Sequence, residues 1–193
     1  FTSMLDGHEL TRRIPETLQI NIGLTCNLAC RHCHVASSPA RRETMTRQVA
    51  DRLVDLVAAD SSIKTVDITG GAPEMHEQFR YLVSCFRKLG LSVMDRCNLT
   101  VLNLAGQEDL ADFLAENRVK IIASLPCYSP TNVERQRGDG VFDASISALQ
   151  ALNARGYGVP GTGLELDLVF NPGGATLPPP QGQLEEDYRR ELF

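Results

Sequence analysis

Five short apolar, β-branched runs alternate with segments of helical periodicity along this chain, and that order leaves few architectures open. The runs are Thr17 to Leu24, Lys64 to Thr69, Leu91 to Met94, Val119 to Leu125 and Leu164 to Phe170. Between them, Met45, Val49, Leu53, Leu56 and Val57 keep helical spacing, as do Phe79, Leu82, Val83 and Phe86. Leu110, Phe113 and Leu114, then Phe142, Ile146, Leu149 and Leu152, repeat the pattern. A strand followed each time by a helix predicts βαβ units with right-handed crossovers, hence a parallel sheet. The fold class is therefore α/β, with functional groups expected at the carboxyl ends of the strands. Gly90 and Gly156 fall just past helices, where a left-handed cap costs glycine least.

With 193 residues and 42% apolar content, the chain is sized for one domain with a real core. A net charge of -5 without a run of lysines or arginines argues against nucleic acid or an anionic membrane as partner. No stretch reaches the roughly 20 apolar residues of a membrane span, and no signal-peptide core is visible, so the expected location is cytoplasmic. Asn171 to Pro180 carries four prolines and two glycines, which predicts an extended loop, the one candidate linker. A last helix follows, with Leu184, Tyr188 and Leu192 on one stripe. The chain opens at Phe1 rather than methionine, and we treat it as a fragment.

Six cysteines would suit disulfides in a short secreted chain, yet three of the six crowd into eight residues as Cys26, Cys30 and Cys33. That spacing arises by chance with odds of roughly one in two hundred. It would also place three cysteines on one helical face. Gly23 and Thr25 before the first, the polar Asn27, Arg31, His32 and His34, and Pro39 after the last favour a loop instead. Thiolates are soft ligands for an iron-sulfur cluster or zinc. Zinc would take His34 as fourth ligand in a closed Cys3His set. Three cysteines on a cube leave one iron open for chemistry.

CNLACRHC after the strand TLQINIGLT resembles the CxxxCxxC signature of the radical S-adenosylmethionine (radical SAM) superfamily. The resemblance implies a partial (β/α)6 barrel, a 4Fe-4S cluster on Cys26, Cys30 and Cys33, and S-adenosylmethionine chelated to the open iron. It implies an electron donor such as a flavodoxin or ferredoxin. Gly70 and Gly71, at the end of TVDITG, look like the family's glycine-rich strand end, where backbone carbonyls receive the cofactor's ammonium. His32 stands where the family often has an aromatic residue near the adenine, a departure. Asn98, Ser124 and Arg137 are candidates for the cofactor's ribose and carboxylate.

Much of the chain from Pro15 onward further resembles the arsenosugar-biosynthesis radical enzymes, through TLQINIGLTCNLACRHCHVASSP, RCNLTVL, LPCYSPTNVERQRGDGVFDASISALQALN and LVFNPGGATLPPPQGQLEEDYRREL. This resemblance implies a transferase that joins the 5'-deoxyadenosyl group to a dimethylated trivalent arsenical. Arsenic is thiophilic, so Cys97 and Cys127, just past strands three and four, are candidate catalytic thiols, while Cys85 reads as core. The implied division is a radical SAM core over 1–170, then a proline-rich loop and helix over 171–193 leading to an absent carboxyl-terminal region with the sixth strand. Two alternatives stay open. One is radical chemistry on a peptide or other small metabolite by hydrogen abstraction; the other is a non-enzymatic zinc or iron-sulfur module.

Overall fold

Strand pairing follows chain order. In the computed structural model, which describes residues 13–192, β1 (Thr17–Asn21), β2 (Thr65–Thr69), β3 (Ser92–Asp95), β4 (Lys120–Ala123) and β5 (Leu166–Leu168) form one sheet in the order 1-2-3-4-5. Every neighbouring pair is parallel, with Thr17 opposite Thr65 and Ile68 opposite Asp95. Consecutive right-handed crossovers in one direction put the strand-connecting helices on the same face, which is the arrangement of a barrel wall rather than a doubly wound sheet. All five expected strands are present, four of them shorter than their apolar runs and β3 shifted by one residue. Residues 1–12 of the expected core lie outside the described residues.

The helices are α1 (Arg47–Ala59), α2 (Phe79–Lys88), α3 (Leu110–Glu116), α4 (Pro130–Arg137), α5 (Val141–Asn153) and α6 (Gln181–Leu192). Thr46 caps α1, its hydroxyl accepting from the Val49 N–H at 3.4 Å. The buried stripe of α1 is Ala50, Leu53, Val54 and Val57. Val49 and Leu56, which the periodicity assigned to the core, are each 48% exposed. The buried arc is centred on Ala50 and Val57, which leaves the two larger side chains outside it. In α2 the expected stripe holds: Phe79, Leu82, Val83 and Phe86 are fully buried, each contributing roughly 1.5–3 kcal/mol of apolar burial. Gly90 and Gly156 take φ of +80° and +97°, as their cap positions require.

α4 was not visible in the sequence as a helix. Seven of its eight residues are polar or proline, and only Val133, Gln136 and Arg137 are buried. Pro130 sits in its first turn, where a missing N–H does no harm. Residues 171–180 are irregular, as the prolines dictate. Beyond them α6 turns back onto the core: Tyr188 is buried, its ring meets Tyr128 edge-on at 5.4 Å, and its hydroxyl donates to the Leu125 carbonyl at 2.6 Å. No helix among the described residues is long and apolar enough to cross a membrane.

Because the Leu125 carbonyl is buried with that hydroxyl, Tyr188→Phe is expected to lower unfolding free energy by about 1 kcal/mol. Urea denaturation measures this, and an unchanged midpoint would show that α6 docks without help from the bond.

A cysteine-lined cavity at the strand ends

The loop after β1 is built on the backbone of β2's end. The Gly71 N–H donates to the Gly23 carbonyl at 2.9 Å and the Ala72 N–H to the Thr25 carbonyl at 3.0 Å. A Cβ on Gly70 would stand 2.7 Å from the Gly23 oxygen, and one on Gly71 would stand 2.3 Å from the Thr25 oxygen. Glycine is required at both places because two main chains touch there. The expected approach of a ligand to these glycines is joined by a second, internal reason for them.

On this footing the loop presents Cys26, Cys30 and Cys33 to a cavity of about 180 Å³. Its wall also includes His32, His34, Gly70, Gly71, Asn98, Ser124 and Arg137. Every residue singled out for cofactor binding thus meets the three cysteines in one place, from four successive strand ends. Cys97 and Cys127 do not line it. Cys97 is fully buried behind Asn98, and Cys127 is 7% exposed beside Tyr188, accepting from Asn132 Nδ2 at 3.7 Å. Cys85 is half-buried on α2.

N–H groups are aimed at the sulfurs. Leu28 N and Asn98 Nδ2 approach Cys26 Sγ at 3.4 and 3.5 Å, and Ser37 N approaches Cys33 Sγ at 3.3 Å. Such donors favour thiolate and metal-bound sulfur. Burial pushes the Cys26 thiol up, the Leu28 N–H working against it. At His32, burial lowers the imidazole, and the charge of Arg137 adds to that. A mononuclear zinc ion would need ligand atoms about 3.8 Å apart. Among the described residues, the set of three such ligands converging within 4.8 Å is Glu74, Asp95 and Cys97, not the loop cysteines. The loop cysteines are spread wider, as a cube requires.

Asn98 is the hub. Its Nδ2 also donates to Asn27 Oδ1 at 2.7 Å, and its Oδ1 accepts from Arg137 Nη2 at 2.7 Å and from Thr100 Oγ1 at 3.1 Å. Arg137, 6% exposed, donates in addition to the Ser124 carbonyl. Both partners of this buried cation are neutral, and it enters no salt bridge among the described residues. A buried cation without a salt-bridge partner beside the cysteines suits an anionic group such as a carboxylate. Sequence reasoning placed Asn27 in the cysteine loop and Glu74 at the glycine-rich strand end without a role in the site, and missed Thr100 and Arg96. Arg96, on the cavity wall, is held by Asp67 at 2.8 Å, and Glu74 Oε1 accepts the Asn98 backbone N–H at 2.7 Å. The segments GGAPE and RCNLTVL contain Glu74, Arg96 and Thr100, but nothing in their spacing separates these from surface polar residues.

Gly71→Ala drives a methyl group into a backbone carbonyl. The expected cost is about 1–3 kcal/mol in urea unfolding, together with reduced iron retention, whereas Gly174→Ala, with open space around it, should change neither.

Comparison with known proteins agrees with this geometry. The Radical SAM superfamily model matches residues 20–170. The putative L-lysine 2,3-aminomutase of Aquifex aeolicus is 27% identical over 157 residues, covering 78% of this chain and 40% of that protein. The mycofactocin maturase MftC of Mycolicibacterium smegmatis is 30% identical over 145 residues, covering 74% and 36%. The chain thus spans well under half the length of these relatives. Among solved structures, native anSMEcpe with bound AdoMet aligns with a TM-score of 0.64 at 20% identity, over 81% of this chain and 43% of that one. Streptococcus suis SuiB bound to its precursor peptide SuiA aligns with 0.65 at 15% identity, over 92% and 36%. These two likenesses carry the fold alone, which is the partial barrel. The match over residues 20–170 and a cavity that gathers the CxxxCxxC cysteines at the strand ends establish that this chain belongs to the radical SAM superfamily, whose members use a 4Fe-4S cluster and S-adenosylmethionine.

Proposed function

We propose that this chain is the catalytic core of an enzyme that reductively cleaves S-adenosylmethionine and abstracts hydrogen from a peptide or other small metabolite. The observation that carries the reading is the convergence of Cys26, Cys30 and Cys33 with a buried Arg137 on one cavity. When bound, the cluster and the cofactor together supply a 5'-deoxyadenosyl radical by one-electron reduction of the sulfonium.

In this reading the three cysteines hold the cluster through its thiolates. Leu28 and Ser37 keep their N–H groups on the sulfurs, and Asn98 ties Cys26 to Arg137 so that metal ligand and anion site hold one separation. Arg137 would receive the cofactor's carboxylate, Gly70 and Gly71 would offer backbone carbonyls to its ammonium, Ser124 would bind its ribose, and His32 would lie near its adenine; all five line the cavity. The proline-rich segment and α6, over 171–193, would carry the chain onward to parts that cover the substrate.

Peptide chemistry draws support from relatives. Besides MftC, the similar proteins include the putative peptide biosynthesis protein YydG and the antilisterial bacteriocin subtilosin biosynthesis protein AlbA, both of Bacillus subtilis. A second reading, adenosyl transfer to a dimethylated trivalent arsenical, draws on the sequence resemblance that runs through NPGGATLPPP and the last helix, outside the matched 20–170. No relative reported above is named for arsenical chemistry, and neither Cys97 nor Cys127 reaches the cavity, so thiol capture there has no geometric support.

The test is anaerobic reconstitution with iron and sulfide, then mass spectrometry of cofactor-derived products. Wild-type protein should bind about four irons and release 5'-deoxyadenosine. Cys26→Ala should lower cleavage by more than the 10- to 100-fold typical of supporting residues. Release of 5'-deoxyadenosine alone in the presence of dimethylarsenite supports hydrogen abstraction, whereas an adenosylated arsenical favours the second reading. An iron-free protein that leaves the cofactor intact ends both. In the reconstituted enzyme, Asn98→Ala should lower the cluster's reduction potential, since an N–H donor to sulfur stabilises the added electron; a redox titration followed by electron paramagnetic resonance reads the shift.

A further inference from the structure

We propose that Glu74, Asp95 and Cys97 form a buried site for one zinc ion, directly behind the cavity wall at Asn98. Glu74 lies in the 3-10 turn Pro73–Met75 after β2, Asp95 ends β3, and Cys97 follows two residues later. Because β2 and β3 are hydrogen-bonded neighbours, these positions meet at adjacent strand ends. One ligand atom from each falls within 4.8 Å of the others. The three residues are 3%, 0% and 0% exposed.

The second observation is the state of the carboxylates. Neither oxygen of Asp95 has a hydrogen-bond partner, nor does Glu74 Oε2. Three of the four buried, unpartnered side-chain polar atoms among the described residues are therefore in this cluster, Ser37 Oγ being the fourth. The protein does not treat its other buried carboxylate in this way. Asp67, at 3% exposure, receives Arg96 through two nitrogens and Gln19 Nε2 at 2.7 Å. Near the cluster the candidates for that role are already committed: Arg137 to Asn98 and the Ser124 carbonyl, and the Tyr157 hydroxyl to the Val119 carbonyl at 2.8 Å. An orphaned buried carboxylate costs several kcal/mol, so something must neutralise the cluster.

A cation does so with the donor set present. Two carboxylates and one thiolate are too soft for calcium or magnesium and too oxygen-rich for copper(I), and they suit a borderline ion such as zinc. Bond lengths of about 2.0–2.3 Å put tetrahedral ligand atoms roughly 3.3–3.8 Å apart, so ligand atoms within 4.8 Å of one another would close by at most about 1.5 Å on loading. Binding forms Zn–S and Zn–O bonds and releases to solvent the Cys97 thiol proton together with the protons that the Asp95 and Glu74 carboxyls hold before the ion binds, with no change of oxidation state. The ion would pin Glu74, whose other oxygen accepts the Asn98 N–H, and Cys97, the residue before Asn98. It would thereby fix the side chain that bonds Cys26. Its role is structural, and it does not depend on which substrate the enzyme takes or on the cluster being loaded.

Metal analysis and X-ray absorption at the zinc edge of the reconstituted full chain decide the matter. About one zinc in addition to iron, with a single sulfur near about 2.3 Å and oxygen near about 2.0 Å, is the expected result. Cys97→Ser and Asp95→Asn should abolish the zinc and keep the iron, while Cys26→Ala should lose iron and keep the zinc. The two metal readings therefore fail separately. If Asp95→Asn does not fold, the wild-type absorption spectrum and Cys97→Ser carry the test. Failure of the wild-type chain to take up zinc on titration, two or more sulfurs in the zinc shell, or unchanged zinc in Cys97→Ser overturns the proposal in favour of carboxyl groups held neutral by their own protons.

Discussion

Contact between the end of β2 and the start of the cysteine loop is the constraint on which the rest of the site depends. Gly71 and Ala72 donate to carbonyls of Gly23 and Thr25, and the space that a Cβ would need is filled by those same main chains. Backbone hydrogen bonds give the loop a position no side-chain contact could set as closely, since they carry no rotamers to order. Every later element of the site is placed relative to this junction. Thr25 Oγ1 then bonds the Arg41 carbonyl at 3.0 Å, and the Arg41 guanidinium holds the carbonyls of Val35 and Ala36 at 3.2 and 3.0 Å. The loop is closed at both ends while its sulfurs remain free.

The second layer is polar. Asn98 touches Cys26, Asn27, Thr100 and Arg137 at once, and Glu74 holds its backbone from behind. Networks of this kind are costly when one member is missing and rigid when all are present. The neighbouring carboxyl groups feel the lack of solvent most: burial pushes Glu74 up to about 7, and burial also raises Asp95 well above the ordinary carboxylate range. A satisfied network on the cavity wall thus stands next to a cluster short of partners behind that wall, Asn98 and Cys97 being adjacent in the chain.

How much of this was legible in the residues differs by element. The strands were, since apolar β-branched runs bounded by turn residues have few other uses. α2 was, because Phe79, Leu82, Val83 and Phe86 mark one face without ambiguity. In α1 the periodicity found the helix but chose the wrong edge of its stripe, since alanine at 50 carries little hydropathic weight and yet is fully buried. α4 went unread because its stability comes from packing of Val133, Gln136 and Arg137 against the core, not from an amphipathic pattern. Arg137 drew notice as a loop arginine; as the last residue of α4 it is held far more firmly than a loop would allow.

The sequence alone determined the alternation of strand and helix, the glycine caps and the thiol-rich loop, because these are encoded by spacings of a few residues that local geometry reads directly. Through the radical SAM resemblance it also marked the residues that turned out to share the cavity. Only the tertiary structure decided which of them touch. Asn98 meets Cys26 across 72 positions and Arg137 across 39, and Glu74 meets Cys97 only because β2 and β3 pair in one register. It also removed Cys97 and Cys127 from the cavity although both follow strand ends. A side chain just past a strand points either into the barrel mouth or behind it according to the path of the backbone there, and composition carries no trace of that choice.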